Sequence, residues 1–134
     1  MAQLEIFYDG GCPLCLAEMR HLKHLDVQKN IKFIDINDNT FPSNYPEIDR
    51  ASANRILHGR LKDGSIILGL DVTHSAWSLV GRGKWTAILR MPIFKQIADF
   101  FYHIFARHRY RISKWLTGQE RCQSCSLEAQ KDQC

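Results

Sequence analysis

Apolar and aromatic side chains crowd Leu4 to Asp9 (LEIFYD), a run closed by Gly10 and Gly11 that reads as a strand. From Cys15 the period changes. Cys15, Met19, Leu22 and Leu25 recur at helical spacing, while Glu18, Arg20, Lys23 and His24 fall mostly on other faces. IKFIDI, Ile31 to Ile36, alternates and predicts a second strand. Strand, helix, strand is a βαβ unit, so the two strands are expected to be parallel with a right-handed crossover.

Asn37 to Pro46 is rich in turn residues, and Glu47 to Ala53 is weakly helical. RILHGRLKDGSIILG, Arg55 to Gly69, holds two apolar runs about Lys62-Asp63-Gly64-Ser65, and the Asp-Gly pair predicts an antiparallel hairpin. A helix follows with Val72, Ala76, Leu79 and Val80 on its apolar side, capped by Asp71 or Thr73 and ended near Gly81. Lys84 to Met91 reads as a short helix stopped by Pro92, and Ile93 to about Trp115 as a long one, whole or broken. Phe101, Phe105, Ile112 and Trp115 are expected to bury its apolar side, with Arg107, Arg111 and Lys114 forming a solvated stripe; a nucleic-acid or anionic-lipid surface is the alternative reading of this basic segment. The order β-α-β-α-β-β-α plus a helical extension predicts an α/β, thioredoxin-like fold.

A chain of 134 residues with 45% hydrophobic content suits one domain with a real core. That domain is expected over residues 1–117, its helical extension starting near 84. Residues 118–134 form a polar, cysteine-containing tail expected to be mobile. The net charge of +4 permits an anionic partner without requiring one. MAQLEIFYDG has no signal-peptide pattern, and Asp99 and His103 interrupt the apolar patch from Ile97 to Phe105. A soluble, cytoplasmic protein is therefore expected, with no membrane and no nucleic-acid partner.

Five cysteines occur, at 12, 15, 122, 125 and 134, and an odd number in a reducing compartment argues against a structural disulfide framework. Cys12 and Cys15 bracket Pro13 and Leu14 where strand gives way to helix. A thiolate at Cys12 would meet unpaired backbone N–H groups and the positive end of the helix dipole, which lower a thiol pKa. Gly10 and Gly11 would leave Cys12 exposed at the strand's end. Pro13 suits the first helical turn because it lacks the N–H that would be unpaired there. Cys15, one turn on, is placed to resolve a mixed disulfide formed at Cys12. Asp9 reads equally as a cap for the loop amides and as a carboxylate that handles protons.

Other readings stand beside this one. Cys12 and Cys15 with Cys122 and Cys125 would supply four thiolates for zinc, although the pairs are far apart in sequence. The tail thiols also suit a second redox pair or incidental residues. A domain that senses oxidation or binds a partner without turnover fits the same motif.

YDGGCPLC resembles the DCC family of thiol-disulfide oxidoreductases, whose Asp-Cys-Cys signature matches Asp9, Cys12 and Cys15. FIDIN (Phe33 to Asn37), the hairpin RILHGRLKDGSIILG and FARHRYRISKW (Phe105 to Trp115) extend the resemblance to about Leu116. It implies a thioredoxin-like fold and dithiol–disulfide exchange with a protein disulfide or a small thiol such as glutathione. It also implies no bound cofactor, and no metal site is expected. Thioredoxins carry a cis-proline before the hairpin; that place falls here at Ile56 or His58. His58 is thus a candidate supporting residue facing Cys12, the plainer alternative being a strand histidine bonded to backbone.

Overall fold

The computed structural model describes residues 2–84 and 92–118. Nearly all of the helix expected over Lys84–Met91, and the cysteines at 122, 125 and 134, lie outside the described residues. Strand β1, Leu4–Tyr8, leads through Asp9, Gly10 and Gly11 into helix α1, Pro13–Leu25, and strand β2 is Ile31–Asp35. Two short helices follow, α2 (Phe41–Asn44) and α3 (Arg50–Arg55), then strands β3 (His58–Leu61) and β4 (Ile66–Leu68). Helix α4, Leu70–Leu79, and the long helix α5, Pro92–Thr117, complete the described elements.

The four strands form one mixed sheet in the order β2-β1-β3-β4. β1 runs parallel to β2, with Leu4 opposite Ile31 and Tyr8 opposite Asp35, and antiparallel to β3, with Leu4 opposite Leu61 and Phe7 opposite His58. This is the thioredoxin-like arrangement that the order of elements predicted. The parallel pair comes from the βαβ unit, and the Asp63-Gly64 turn, where Gly64 sits at φ 88°, lays β4 antiparallel on β3 with Gly59 opposite Ile67.

β1 is interior and carries apolar residues on both faces, as a strand covered on both sides must. Leu4, Ile6 and Tyr8 pack with Leu16, Met19 and Leu22 of α1 and Val72 and Ala76 of α4. Phe7, pointing the other way, packs with Ile34, Ile36, Phe41, Tyr45, Ile48 and Ala53. Its ring meets Phe41 and Tyr45 edge-on at centroid distances of 6.0 and 5.1 Å. The sheet is thus held between α1 and α4 on one face and the α2–α3 segment on the other.

Several local expectations shift. The region taken for turns holds α2, because Phe41 and Tyr45 must reach Phe7 and one helical turn delivers both. The weak helix moves to Arg50–Arg55, where the Asp49 carboxylate accepts the Ser52 N–H at 2.8 Å. Neither Asp71 nor Thr73 caps α4. β4 runs almost directly into that helix through Gly69 at φ 56°, leaving no loop in which a capping side chain could sit. Leu16, rather than Cys15, supplies the first core contact of α1 after Pro13.

The largest departure is in α5. It is one unbroken helix of 26 residues, and the side it presents to the domain is not its apolar one. Arg109 and Ser113 are buried, with Tyr102, Ala106 and Tyr110 partly covered, while Phe101, Phe105 and Trp115 stand exposed. Arg107, Arg111 and Lys114 face solvent as expected.

Candidate functional site

The loop after β1 is built around two carboxylates. Asp9 accepts the Gly11 N–H at 2.9 Å, and Asp35, at the end of β2, accepts the Gly10 N–H at 3.0 Å. A Cβ at Gly10 would overlap the Asp35 carboxylate, so glycine is what lets the two chains approach. The Asp9 carbonyl accepts the Cys12 N–H at 3.1 Å, closing the turn. Cys12 is then the N-cap of α1, extended at φ −95°, ψ 112°, with Pro13 in the first turn. Its sulfur accepts the Cys15 N–H at 3.4 Å.

These contacts set the two thiols apart. A hydrogen bond from the Cys15 thiol does most to lower the Cys12 pKa; burial opposes it, and the Cys15 N–H and the Arg109 charge add to the lowering. The result is a value of about 7. Cys15, donating to the Cys12 sulfur and buried, is pushed the other way and stays protonated. Both are free thiols.

Asp9 is the hub of a polar cluster that ties separate elements together. Its side chain is 0% exposed, and Arg109 reaches it across a hundred residues of sequence at 2.9 Å. Asn37 donates to it at 2.7 Å, and the Tyr110 hydroxyl donates a further short hydrogen bond. Arg109 also donates to the Tyr110 hydroxyl at 2.9 Å and to the side-chain amide oxygen of Asn54 on α3. Burial raises the Asp9 pKa, but the bonds from Tyr110, Asn37 and Gly11 and the Arg109 charge outweigh it and hold the carboxyl below its usual value. Asp9 therefore sits as a charged anchor. The loop-capping alternative describes its contacts, and the ion pair extends them. Tyr110 is pushed up to about 12, by burial first and then by its bond to Asp9.

Cys12 is 0% exposed, against the expectation that the glycines would leave it open. Helix α5 packs on α1 and pins the loop through Arg109 to Asp9, three residues before the thiol. Cys15 is partly exposed and lines a small cleft of about 50 Å³ with Met19, Leu57, Tyr102, Phe105 and Arg109. A larger open groove of about 460 Å³, lined by Glu5, Lys32, Arg60 and Lys62, lies at the opposite end of the sheet.

His58 sits on β3 opposite Phe7, and its Nδ1 is 2.8 Å from the Ile56 carbonyl. The charges acting on Cys12 are those of Arg109 and Asp9. The His58→Ala variant is accordingly expected to keep the pH midpoint of Cys12 alkylation unchanged; a clear upward shift would restore the histidine to the site. Sequence reading missed Arg109, Tyr110, Asn37 and Asn54. The available signal was Ala106 and Ser113, small residues flanking Arg109 on one face of an otherwise bulky helix, together with a lone acid at Asp9 that needed a cation. Among the described residues, no group of three or more His, Cys, Asp or Glu side chains is placed to hold a metal ion.

A β2-β1-β3-β4 sheet with two thiols at the N-terminus of its first helix defines a thioredoxin-like dithiol protein. The match of the family model to residues 6–115 places the chain in the DCC1-like thiol-disulfide oxidoreductase family. It is 28% identical over 131 residues to an uncharacterised chloroplastic protein of Arabidopsis thaliana, an alignment covering 96% of this chain and 59% of that protein. The chain thus spans less than two thirds of that relative's length. No solved structure gives a significant match.

Proposed function

We propose that the protein exchanges two electrons with a client disulfide or small thiol through Cys12 and Cys15. The observation that carries this reading is the opposed tuning of the pair: Cys12 lowered to about 7 at the helix N-cap, Cys15 held protonated beside it. At neutral pH about half of Cys12 is thiolate, the attacking form. Its sulfur attacks one client sulfur, the client S–S bond breaks, and a client thiolate leaves. Cys15 gives its proton to that thiolate, attacks the Cys12 sulfur of the mixed disulfide and displaces the second client thiolate, which takes a proton from water. The client gains two electrons and two protons, and the protein keeps a Cys12–Cys15 disulfide. Two glutathione molecules, leaving as glutathione disulfide, or one dithiol return the Cys12–Cys15 disulfide to thiols, so the pair is itself the electron carrier and no cofactor is required.

The cleft beside Cys15 admits a group of side-chain size, which suits a cystine sulfur or a small thiol. A cytoplasmic or other reducing compartment would keep the resting pair as thiols. The test is a titration across glutathione ratios, followed by alkylation and mapping of modified cysteines. A reversible Cys12–Cys15 disulfide with a defined potential, absent in Cys12→Ser, is expected. Thiols that resist both oxidation and alkylation until a chelator is added would replace this reading by zinc ligation with Cys122 and Cys125.

The complete burial of Cys12 favours a second reading, a sensor that reacts once and releases α5 from the loop. Repeated turnover with glutathione excludes it; a single stoichiometric oxidation that alters α5 supports it.

A further inference from the structure

The face of α5 turned away from Arg109 and Ser113 carries Ile97, Phe100, Phe101 and Ile104, spaced i, i+3, i+4 and i+7 along one stripe, with Phe105 at its margin toward the Cys15 cleft. Phe100 is 63% and Phe101 62% exposed. Trp115, about five turns beyond Ile97 on the same line, is 84% exposed. Isolated surface apolar residues are ordinary, but a contiguous aromatic stripe on a long helix marks a contact. The helix carries Lys95, Arg107, Arg109, Arg111 and Lys114 against the single acid Asp99. Of these, Arg109 is buried on Asp9, while Arg107, Arg111 and Lys114 are exposed along the edge next to the stripe.

We propose that this face of α5 docks on an anionic lipid surface. The aromatic N-terminal half would enter the headgroup–acyl boundary, Trp115 would sit at the interface, and Arg107, Arg111 and Lys114 would meet lipid phosphates. The helix lies on the bilayer rather than crossing it, since none among the described residues is long and apolar enough to span. A second copy fits this face poorly. Parallel pairing sets Arg107, Arg111 and Lys114 against themselves, and antiparallel pairing buries them against the partner's phenylalanines without a counter-charge. The polar tail from residue 119 offers Leu127 as its one large apolar side chain, too little to cover the stripe. This departs from the sequence expectation of no membrane partner and takes up the anionic-lipid alternative for the basic segment. Because the opposite face of the helix holds Asp9, docking would set the dithiol about one helix diameter, roughly 10 Å, from the bilayer.

The test is flotation of the full chain with phosphatidylcholine vesicles and with vesicles containing about one-third phosphatidylglycerol. Partitioning onto the anionic vesicles is expected, and raised salt should weaken it. Phe100→Ser with Phe101→Ser should reduce it at least about tenfold. Arg107→Gln, Arg111→Gln and Lys114→Gln together should reduce it about a hundredfold. Unchanged circular dichroism and Cys12 alkylation would show that both variants are folded. Three results overturn the proposal: no partitioning onto either vesicle, retention by RNA but not by lipid, or a lipid-free dimer that the double serine variant dissolves.

Discussion

Replacing Arg109 with methionine is expected to lower the free energy of unfolding by about 3 kcal/mol, the lower end of the range for removing one partner of a buried ion pair. The lower end applies because Asp9 would keep Gly11, Asn37 and Tyr110 as donors. What is lost is the one full positive charge bonded to a carboxylate whose side chain is 0% exposed. Equilibrium denaturation checks this, and a loss below about 1 kcal/mol would mean the pair behaves as a surface bridge. The cation is also among the influences that lower the Cys12 pKa, so the alkylation midpoint should rise in the same variant. The pH dependence has a definite sign. Asp9 titrates below its ordinary 3.8 in the folded protein, so its contribution is fully present above about pH 4 and fades as pH falls further. In Asp9→Asn that acid-side decline should be smaller, and the unfolding free energy near neutral pH lower.

The second large effect is expected at Cys15. Its thiol hydrogen bond is the leading cause of the low Cys12 pKa, so Cys15→Ala should move the alkylation midpoint from about 7 toward the ordinary 9.0. At pH 7 the thiolate fraction would fall from about one half to about one hundredth. Greater intrinsic nucleophilicity of the more basic sulfur returns about tenfold, leaving a net loss of about fivefold in the rate at pH 7. The same variant should trap a mixed disulfide at Cys12, since nothing remains to resolve it. A midpoint that stays near 7 would transfer the tuning from Cys15 to the helix N-terminus and Arg109. Because Cys12 is fully buried, both alkylation rates should lie below that of an open thiol of equal pKa.

Much of this was legible in sequence because it rests on local periodicity and turn chemistry. The apolar run Leu4–Asp9, alternation in Ile31–Ile36, helical spacing between them and the Asp63-Gly64 turn define the strands and their directions through short-range sterics. The same local logic placed Cys12 at a helix start, with Pro13 behind it and Cys15 one turn on. Residues at fixed spacing in one helix have nearly fixed relative positions whatever surrounds them.

Tertiary structure decided what those elements meet. Counting apolar residues assigned Phe101, Phe105 and Trp115 to the buried side of α5, yet the helix docks through Arg109, Ser113 and Tyr110. Asp9, charged and enclosed at the end of a central strand, requires a cation more strongly than the domain requires further apolar area, and that requirement rotates the helix. The partners lie a hundred residues apart, beyond the reach of any local pattern. The sequence by itself determined a thioredoxin-like sheet with a cysteine pair at its first helix. Only the folded chain determined that Cys12 is covered, that Asp9 is an anchor bound to Arg109, and that an aromatic face is left turned outward, because burial is settled by long-range complementarity rather than by the hydrophobicity of a segment.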